Sequence, residues 1–236
     1  MPELIAAAAD AGVERMVTIG CGRAQSEQAV AIAEAHPQVY AAVGVHPVDA
    51  GKGNWRADDV EWIRELAQHE RVVAIGEAGL DYFHDRTTPE EQPVAFRAQA
   101  ELAADLGMPL VIHTRDAADD TMRILRDYDG LQVVLHCFSI PQYLDEAADR
   151  GWTMSIAGPV TFPKNTELRE AVPRIPEGQL LVETDAPYLA PVPMRGKRNQ
   201  PAFVAHTLAC VADLRGVDVA HLDAATTANA ARVFGW

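Results

Sequence analysis

Short apolar runs alternate with amphipathic stretches along the whole chain. The runs are rich in Val, Ile and Leu and lie at 15–22, 39–47, 72–81, 110–116, 133–139, 153–158 and 180–187. Stretches with apolar residues at helical spacing lie between them, for example at 25–36, 89–107 and 142–151, and several end in glycine, as helices often do. Strands that are apolar throughout and separated by helices predict a parallel sheet covered on both faces.

Polar residues follow these strands at a recurring interval. Successive ones, from His46 through Glu77 and His113 to His136, are 23 to 36 residues apart. Repeats of this length predict the α/β class and a (β/α)8 barrel of the TIM type. A glycine-rich fingerprint is missing after the first strand, which disfavours a dinucleotide-binding domain. Since no linker or low-complexity segment interrupts the pattern, we expect a single catalytic domain over residues 1–236.

The barrel pattern lacks one strand. Seven strands can be counted, and the chain opens directly in a helical stretch at 2–13 that leads into the first of them. A complete barrel needs one more strand before that helix. We therefore expect a domain that is truncated at its N-terminus, through a late start codon or a shortened chain.

Composition narrows the class of protein. Apolar residues make up 48% of the chain, which favours a packed core over disorder. The three cysteines form no CxxC pair, and no apolar run reaches the roughly 20 residues of a membrane span, so we expect a cytoplasmic protein. The net charge of −14 disfavours a broad duplex-binding face, so an acidic substrate must meet a local basic patch or metal ions.

Five polar residues lie at the C-terminal ends of predicted strands, namely His46, Glu77, His113, His136 and Asp185. For any single one, the ordinary interpretation is a hydrogen-bonded structural residue. Their recurrence at the same end of five strands indicates a shared site at the barrel mouth instead. Histidines combined with carboxylates form a ligand set that suits divalent transition metals.

Strand alternation adds neighbours to this set. Gly79 shares a face with Glu77, and we expect it to leave space there for an ion or substrate. Arg115 shares a face with His113, where it either meets a phosphate or pairs with a nearby acid such as Asp116. Glu183 lies deeper on the face of Asp185, which indicates a supporting role. The absence of GxSxG removes support for an α/β-hydrolase.

Several longer stretches resemble a known family. They are VGVHP, AIGEAGLDY, VIHTRDA, VLHCFS and LLVETDAPYLAPVPMRGKRNQPAFV, with TTANAARVFG at the end. In this order they resemble the TatD family of metal-dependent hydrolases and DNases, from about residue 4 to the C-terminus. The resemblance implies an amidohydrolase-like TIM barrel that binds divalent ions, two in a full-length protein, with Mg, Mn and Zn all open. The family begins with a strand carrying Asp-Thr-His-x-His, whose histidines bind one metal, and the chain has no such segment.

The resemblance also implies roles for individual residues. Metal ligation falls on Glu77, His113, His136 and Asp185, with Glu77 bridging the ions and Asp185 also serving as the base. The resemblance implies phosphate binding by the basic segment, through Arg195, Lys197, Arg198 and Asn199. From their positions at strand ends, we also expect His46 and Arg115 to bind substrate.

These observations predict an exonuclease that hydrolyses phosphodiester bonds in DNA by metal-activated water. One alternative is a hydrolase of an ester or amide bond on a nucleotide or a tRNA-linked substrate, since the same chemistry serves both. Another is an inactive or binding-only protein, because the strand with His-x-His is absent. We expect a monomer that binds DNA or another phosphate-bearing nucleotide and no membrane.

Overall fold

The structure, a computed structural model, describes residues 1–50, 55–84 and 90–236. Its strands are β1 Met16–Ile19, β2 Val39–Val43, β3 Val72–Asp81, β4 Leu110–Arg115, β5 Val133–Leu135, β6 Thr153–Ile156 and β7 Leu180–Val182. Its α-helices are α1 Pro2–Asp10, α2 Arg23–Ala35, α3 Pro47–Asp49, α4 Asp59–Ala67, α5 Gln92–Leu106, α6 Ala118–Leu125, α7 Leu144–Asp149, α8 Thr166–Ala171, α9 Val204–Arg215 and α10 Val219–Phe234. Short 3-10 helices lie at Pro141–Tyr143, Gly158–Thr161, Val172–Arg174, Glu177–Gln179 and Pro201–Phe203.

All seven predicted strands are confirmed, each within its apolar run. The helices predicted at 25–36, 89–107 and 142–151 are confirmed as α2, α5 and α7, although Pro89 itself lies outside the described residues. Gly107 ends α5 in the left-handed conformation, with φ 63°, as the glycine at that position predicts.

The described residues form two compact units. We call Arg15–His136 the five-strand unit, and Met1–Glu14 together with Cys137–Trp236 the two-strand unit. The prediction of a single catalytic domain stays a prediction.

The five-strand unit contains β1 to β5, paired in parallel in sequence order. Every residue of β3 is buried, as expected for a central strand with both faces covered. Helix α5 packs against β3, and its Phe96 is fully buried. A large apolar side chain buried in this way contributes about 1.5–3 kcal/mol. Parallel pairing brings the C-terminal ends of these strands to one edge of the sheet.

The two-strand unit contains β6 and β7, which also pair in parallel, with Ser155 opposite Leu181. Helices α9 and α10 pack against β7. Helix α10 begins after Asp218, whose carboxylate accepts the backbone N–H groups of Ala220 and His221. The side chain of Asn229 donates to the carbonyl oxygen of Leu180 at 2.9 Å, which ties α10 to the strand.

The pairing of β3 with β4 changes register near the middle of β3. Ile75 lies opposite Leu110 and Ala78 opposite Ile112, so β3 advances one residue more than its partner there. Beyond the shift the strands run so close that a Cβ at Gly79, with φ 140°, would clash with the carbonyl oxygen of His113. The space at Gly79 is therefore filled by the neighbouring strand, and the expectation that it holds an ion or substrate is wrong.

Among the helices that the described residues form, none combines the length and the apolarity needed to cross a membrane.

Candidate metal centre

The strand ends of the five-strand unit bring four of the predicted site residues together. Glu77 belongs to β3 and His113 to β4, while His46 and His136 follow β2 and β5. Each of these side chains is mostly buried, with exposed fractions between 11% and 18%. The prediction that polar residues of successive strands meet is therefore confirmed for these four.

Glu77 is the centre of this arrangement. Its Oε1 lies 2.9 Å from Nδ1 of His113, 3.3 Å from Nε2 of His136 and 3.9 Å from Nε2 of His46. One ligand atom each from Glu77, His113 and His136 all lie within 4.8 Å of one another. A carboxylate and two imidazoles converging in this way form a donor set that fits a divalent cation.

The charges of this group follow from the same contacts. Burial alone would raise the pKa of Glu77, but His136, His113 and His46 outweigh it and lower that pKa to about 2. Burial alone would lower the pKa of His113, but hydrogen bonds with Asp81 and Glu77 raise it. Glu77 is thus an anion at neutral pH, as a metal ligand must be.

His46 differs from the other two histidines. Its Nδ1 accepts the backbone N–H of Val48 at 3.1 Å, at the start of α3. Burial and the neighbouring His113 lower the pKa of His46 to about 4. A neutral ring that accepts at Nδ1 carries its proton on Nε2, so His46 presents a donor on the side of Glu77.

The sequence did not single out Asp81, which the structure places in the same group. Asp81 ends β3 and is fully buried, and its Oδ2 lies 3.1 Å from Nε2 of His113. Together with His46 and His113 it forms a second set of ligand-type atoms within 4.8 Å. A signal was available, because Asp81 lies two residues after Gly79 and therefore on its face of the strand.

Two glutamines of α5 hold the backbone beside this group. Gln99 accepts the N–H of Val45 at 2.8 Å and donates to the same residue's carbonyl oxygen at 3.0 Å. Gln92 pairs with the N–H and carbonyl of Asp81 in the same way, at 2.7 and 2.9 Å. Both side chains are fully buried, so one helix positions the segments that carry His46 and Asp81.

Arg115, at the end of β4, is exposed, and its guanidinium lies 3.8 Å from the centroid of the Phe83 ring. Stacking uses the face of the guanidinium and leaves its in-plane N–H groups directed outward. This arrangement is compatible with the phosphate contact expected for Arg115.

In the two-strand unit, Asp185 follows β7 and is partly buried, with a left-handed φ of 56°. Positive φ is uncommon outside glycine, costs of order 1–3 kcal/mol and clusters at functional sites. Glu183 accepts the backbone N–H of Cys137 at 3.1 Å. A backbone amide is thus a partner of Glu183, for which the sequence predicts a supporting role.

The segment 186–199, which we call the basic loop, carries the remaining predicted residues. Arg195, Lys197 and Arg198 are exposed, and the guanidinium of Arg195 lies 4.3 Å from the centroid of Phe162. Asn199 is buried instead and donates to the carbonyl oxygens of Thr184 at 2.7 Å and Tyr188 at 2.6 Å. Asn199 therefore closes the loop on itself, and its contact with substrate stays a prediction.

Comparison with known proteins identifies a family and several relatives of the chain. The family model for TatD related DNase matches residues 1–235. A protein of Bacillus subtilis (strain 168), named as an uncharacterized metal-dependent hydrolase, YabD, is 39% identical over 238 residues, covering 99% of the chain and 92% of that protein. The 3'-5' ssDNA/RNA exonuclease TatD of Escherichia coli (strain K12) is 42% identical over 241 residues, with coverage of 99% and 92%.

Solved structures show the same likeness. The crystal structure of YjjV, a TatD homolog from Escherichia coli K12, has a TM-score of 0.92 at 27% identity, covering 100% of the chain and 92% of that protein. A TatD family hydrolase from Entamoeba histolytica has a TM-score of 0.85 at 19% identity, which shows the fold alone. These matches confirm the predicted α/β fold class of the TIM-barrel type.

Proposed function

The chain belongs to the TatD related DNase family of metal-dependent hydrolases, and from this premise we propose that it is an exonuclease acting on phosphodiester bonds of single-stranded DNA. The coarser part, a metal-dependent hydrolase, follows from the family itself. The finer part rests on the geometry around Glu77 together with the activity for which the Escherichia coli relative is named.

The observation that carries this proposal is the convergence of Glu77, His113 and His136 within 4.8 Å. These three residues would hold a divalent ion, since a buried anion and two imidazoles offer the appropriate atoms. An ion bound there supplies a lowered pKa for water and neutralises charge that develops on a phosphate. We propose Mg, Mn or Zn as the ion and, in a full-length protein, two ions that Glu77 would help to hold.

His46 and Arg115 supply donors for the substrate in this proposal. The Nε2–H of His46 is available because Val48 occupies Nδ1, and a neutral donor suits a phosphate oxygen. Arg115 keeps its in-plane N–H groups while it stacks on Phe83, which suits a bidentate contact with a phosphate.

We assign to Asp185 the role of proton acceptor for the attacking water, and of metal ligand, as the family resemblance implies. Its support within the two-strand unit is its position shortly after β7 together with a left-handed backbone, which is uncommon outside glycine. A carboxylate within reach of the attacking water can accept its proton as a general base.

The basic loop supplies contacts with more distant phosphates. Arg195, Lys197 and Arg198 are exposed cations in a chain whose net charge is −14, so they form a local exception to its acidity. The hydrogen bonds of Asn199 with Thr184 and Tyr188 hold the loop that carries them. A loop that is held in place before substrate binds loses less conformational entropy when its cations contact a phosphate.

The test is digestion of single-stranded DNA labelled at its 5' end, with the protein loaded in turn with Mg, Mn or Zn. A ladder that shortens stepwise from the 3' end is expected. Glu77→Gln and Asp185→Asn should each abolish the ladder, while Glu27→Gln, an exposed carboxylate paired with Arg23, should leave it intact.

Other outcomes would contradict the proposal in distinguishable ways. Full activity in Asp185→Asn would remove its role as proton acceptor. Binding of the DNA without cleavage, at every metal tested, would support the binding-only alternative. Hydrolysis of nucleotide esters or amides but not of DNA would support the other hydrolase.

We also propose that the enzyme is a cytoplasmic monomer. None of its three cysteines, Cys21, Cys137 and Cys210, forms a disulfide, which fits a reducing compartment. Cell fractionation and the mass in solution test the two parts separately.

A further inference from the structure

Two possible metal groups overlap at His113. One consists of Glu77, His113 and His136, and the other of His46, Asp81 and His113. Each group uses a different nitrogen, because Nδ1 of His113 faces Glu77 at 2.9 Å while Nε2 faces Asp81 at 3.1 Å. A neutral imidazole has one lone pair for a metal and one N–H, so the two groups compete for the same ring.

The hydrogen bonds of Asp81 indicate which of the two groups holds an ion. Its Oδ1 accepts the backbone N–H groups of Phe83 and His84, each at 3.0 Å. Its Oδ2 meets Nδ1 of His84 at 2.8 Å and Nε2 of His113 at 3.1 Å. An ionised carboxylate has about four lone-pair positions, and these four contacts use them. Asp81 is therefore built as a hydrogen-bond acceptor.

The hydrogen bond of His46 is a second, independent argument against an ion in the group of His46, Asp81 and His113. Its Nδ1 already accepts the N–H of Val48, so its Nε2 carries a proton and offers no lone pair to an ion. The group of His46, Asp81 and His113 thus lacks two of its three ligands. In the group around Glu77, one ligand atom each from Glu77, His113 and His136 lies within 4.8 Å of the others, and Nδ1 of His113 faces the carboxylate.

We propose that Asp81 is a positioning residue for the metal centre: it accepts the Nε2–H of His113 and so fixes the tautomer that presents Nδ1 to the ion. The pairing of Gln92 with the backbone of Asp81 holds this acceptor in place. A ligating histidine usually donates its other N–H to such a partner, which orients the ring and raises its basicity. The inference deepens the proposed function and rests on the metal centre named there.

Asp81→Asn is a suitable test because it is nearly isosteric. The remaining Oδ1 can still accept the N–H groups of Phe83 and His84, so the turn after β3 is kept. The new NH2 group faces Nε2 of His113 as a donor and disfavours a proton there. We expect affinity for Mn or Zn, measured by calorimetry, to fall about 10- to 100-fold.

A spectroscopic readout separates positioning from a merely structural role. In the Zn-loaded protein, nitrogen-15 NMR of the histidine rings should show an Nε2–H on His113 that is protected from exchange. Asp81→Asn should lose this signal, while the metal-free variant should still unfold in one cooperative transition. The matched control Asp105→Asn, an exposed carboxylate on α5, should change neither the signal nor the affinity.

His46→Ala distinguishes the two overlapping groups. We expect its affinity for the ion to stay within about threefold of the unaltered protein, because His46 is not a ligand. A loss as large as that of Glu77→Gln would place the ion at the His46 group and overturn the inference. Unchanged metal affinity and an intact Nε2–H in Asp81→Asn would also overturn it, while leaving the proposed function standing. Failure of the unaltered protein to bind any ion would refute the proposed function itself.

Discussion

The strand ends of the five-strand unit and the basic loop of the two-strand unit hold their polar side chains in different ways. Around Glu77 the side chains are mostly buried and contact each other directly, at 2.9 Å for His113 and 3.3 Å for His136. In the basic loop the cations Arg195 and Arg198 are exposed.

This difference separates two tasks. Buried groups with fixed contacts interact strongly, because water does not screen them, and they suit the binding of an ion at one place. Exposed cations are screened and contribute little each, which suits sequence-independent contact with a phosphate backbone. We therefore expect substitutions in the cluster to act on the chemical step and on metal affinity, and substitutions in the loop to act on substrate affinity.

The largest expected effect is on turnover in Glu77→Gln. Loss of the central carboxylate removes the charge that holds the ion, and metal stabilisation of the transition state is worth several kcal/mol. We expect kcat to fall about a thousandfold, measured on single-stranded DNA at saturating substrate. Glu27→Gln is the matched exposed control. An equal loss of kcat in both variants would show that the buried carboxylate has no special role in turnover.

Metal removal should also have a large effect, this time on stability. An ion at a hundred times its Kd stabilises the folded state by about 2.7 kcal/mol, so chelation should lower the Tm. The same treatment of Glu77→Gln should leave the Tm unchanged. A shift of equal size in that variant would mean that the ion binds elsewhere.

Gln99→Leu tests the support of the cluster. The change leaves the N–H and carbonyl of Val45 without their side-chain partner, at a cost of about 1–3 kcal/mol per unpaired buried group. Denaturant unfolding measures the free energy of unfolding. Gln28→Leu, at an exposed position of α2, is the control, and equal stability in both would show that Gln99 is not needed.

The smallest effect is expected in the basic loop. Arg198→Gln should raise KM about fivefold with little change in kcat, since an exposed charge contact is worth up to about 1 kcal/mol. The salt dependence of KM should also weaken, while Arg23→Gln, on α2, should behave as the unaltered protein does. A fall in kcat without a change in KM would assign Arg198 to the chemical step and contradict the assignment of the basic loop to substrate affinity.

Much of the fold was predictable because its signals are local. The run of apolar residues at 72–81 and the helical spacing before Gly107 each depend on neighbouring positions, and both became the expected elements. The meeting of His46, Glu77, His113 and His136 was predictable as well, because parallel strands in sequence order bring their C-terminal ends to one edge.

Other features depended on the tertiary structure. The register shift between Ile75 and Ala78 changes which residues of β3 and β4 lie opposite each other, and the apolar pattern of the sequence does not indicate it. The sequence predicts space for an ion at Gly79, whereas the close approach of β4 accounts for the glycine. The support from Gln99 was hidden in the sequence, since it comes from a helix 54 residues beyond the segment that it holds.

The sequence by itself thus determined the order of strands and helices and the residue types available at their ends. Only the tertiary structure decided which nitrogen of His113 faces Glu77 and which faces Asp81. The physical reason is that periodicity is set by neighbours along the chain. The direction of a hydrogen bond, in contrast, depends on atoms that folding alone brings together.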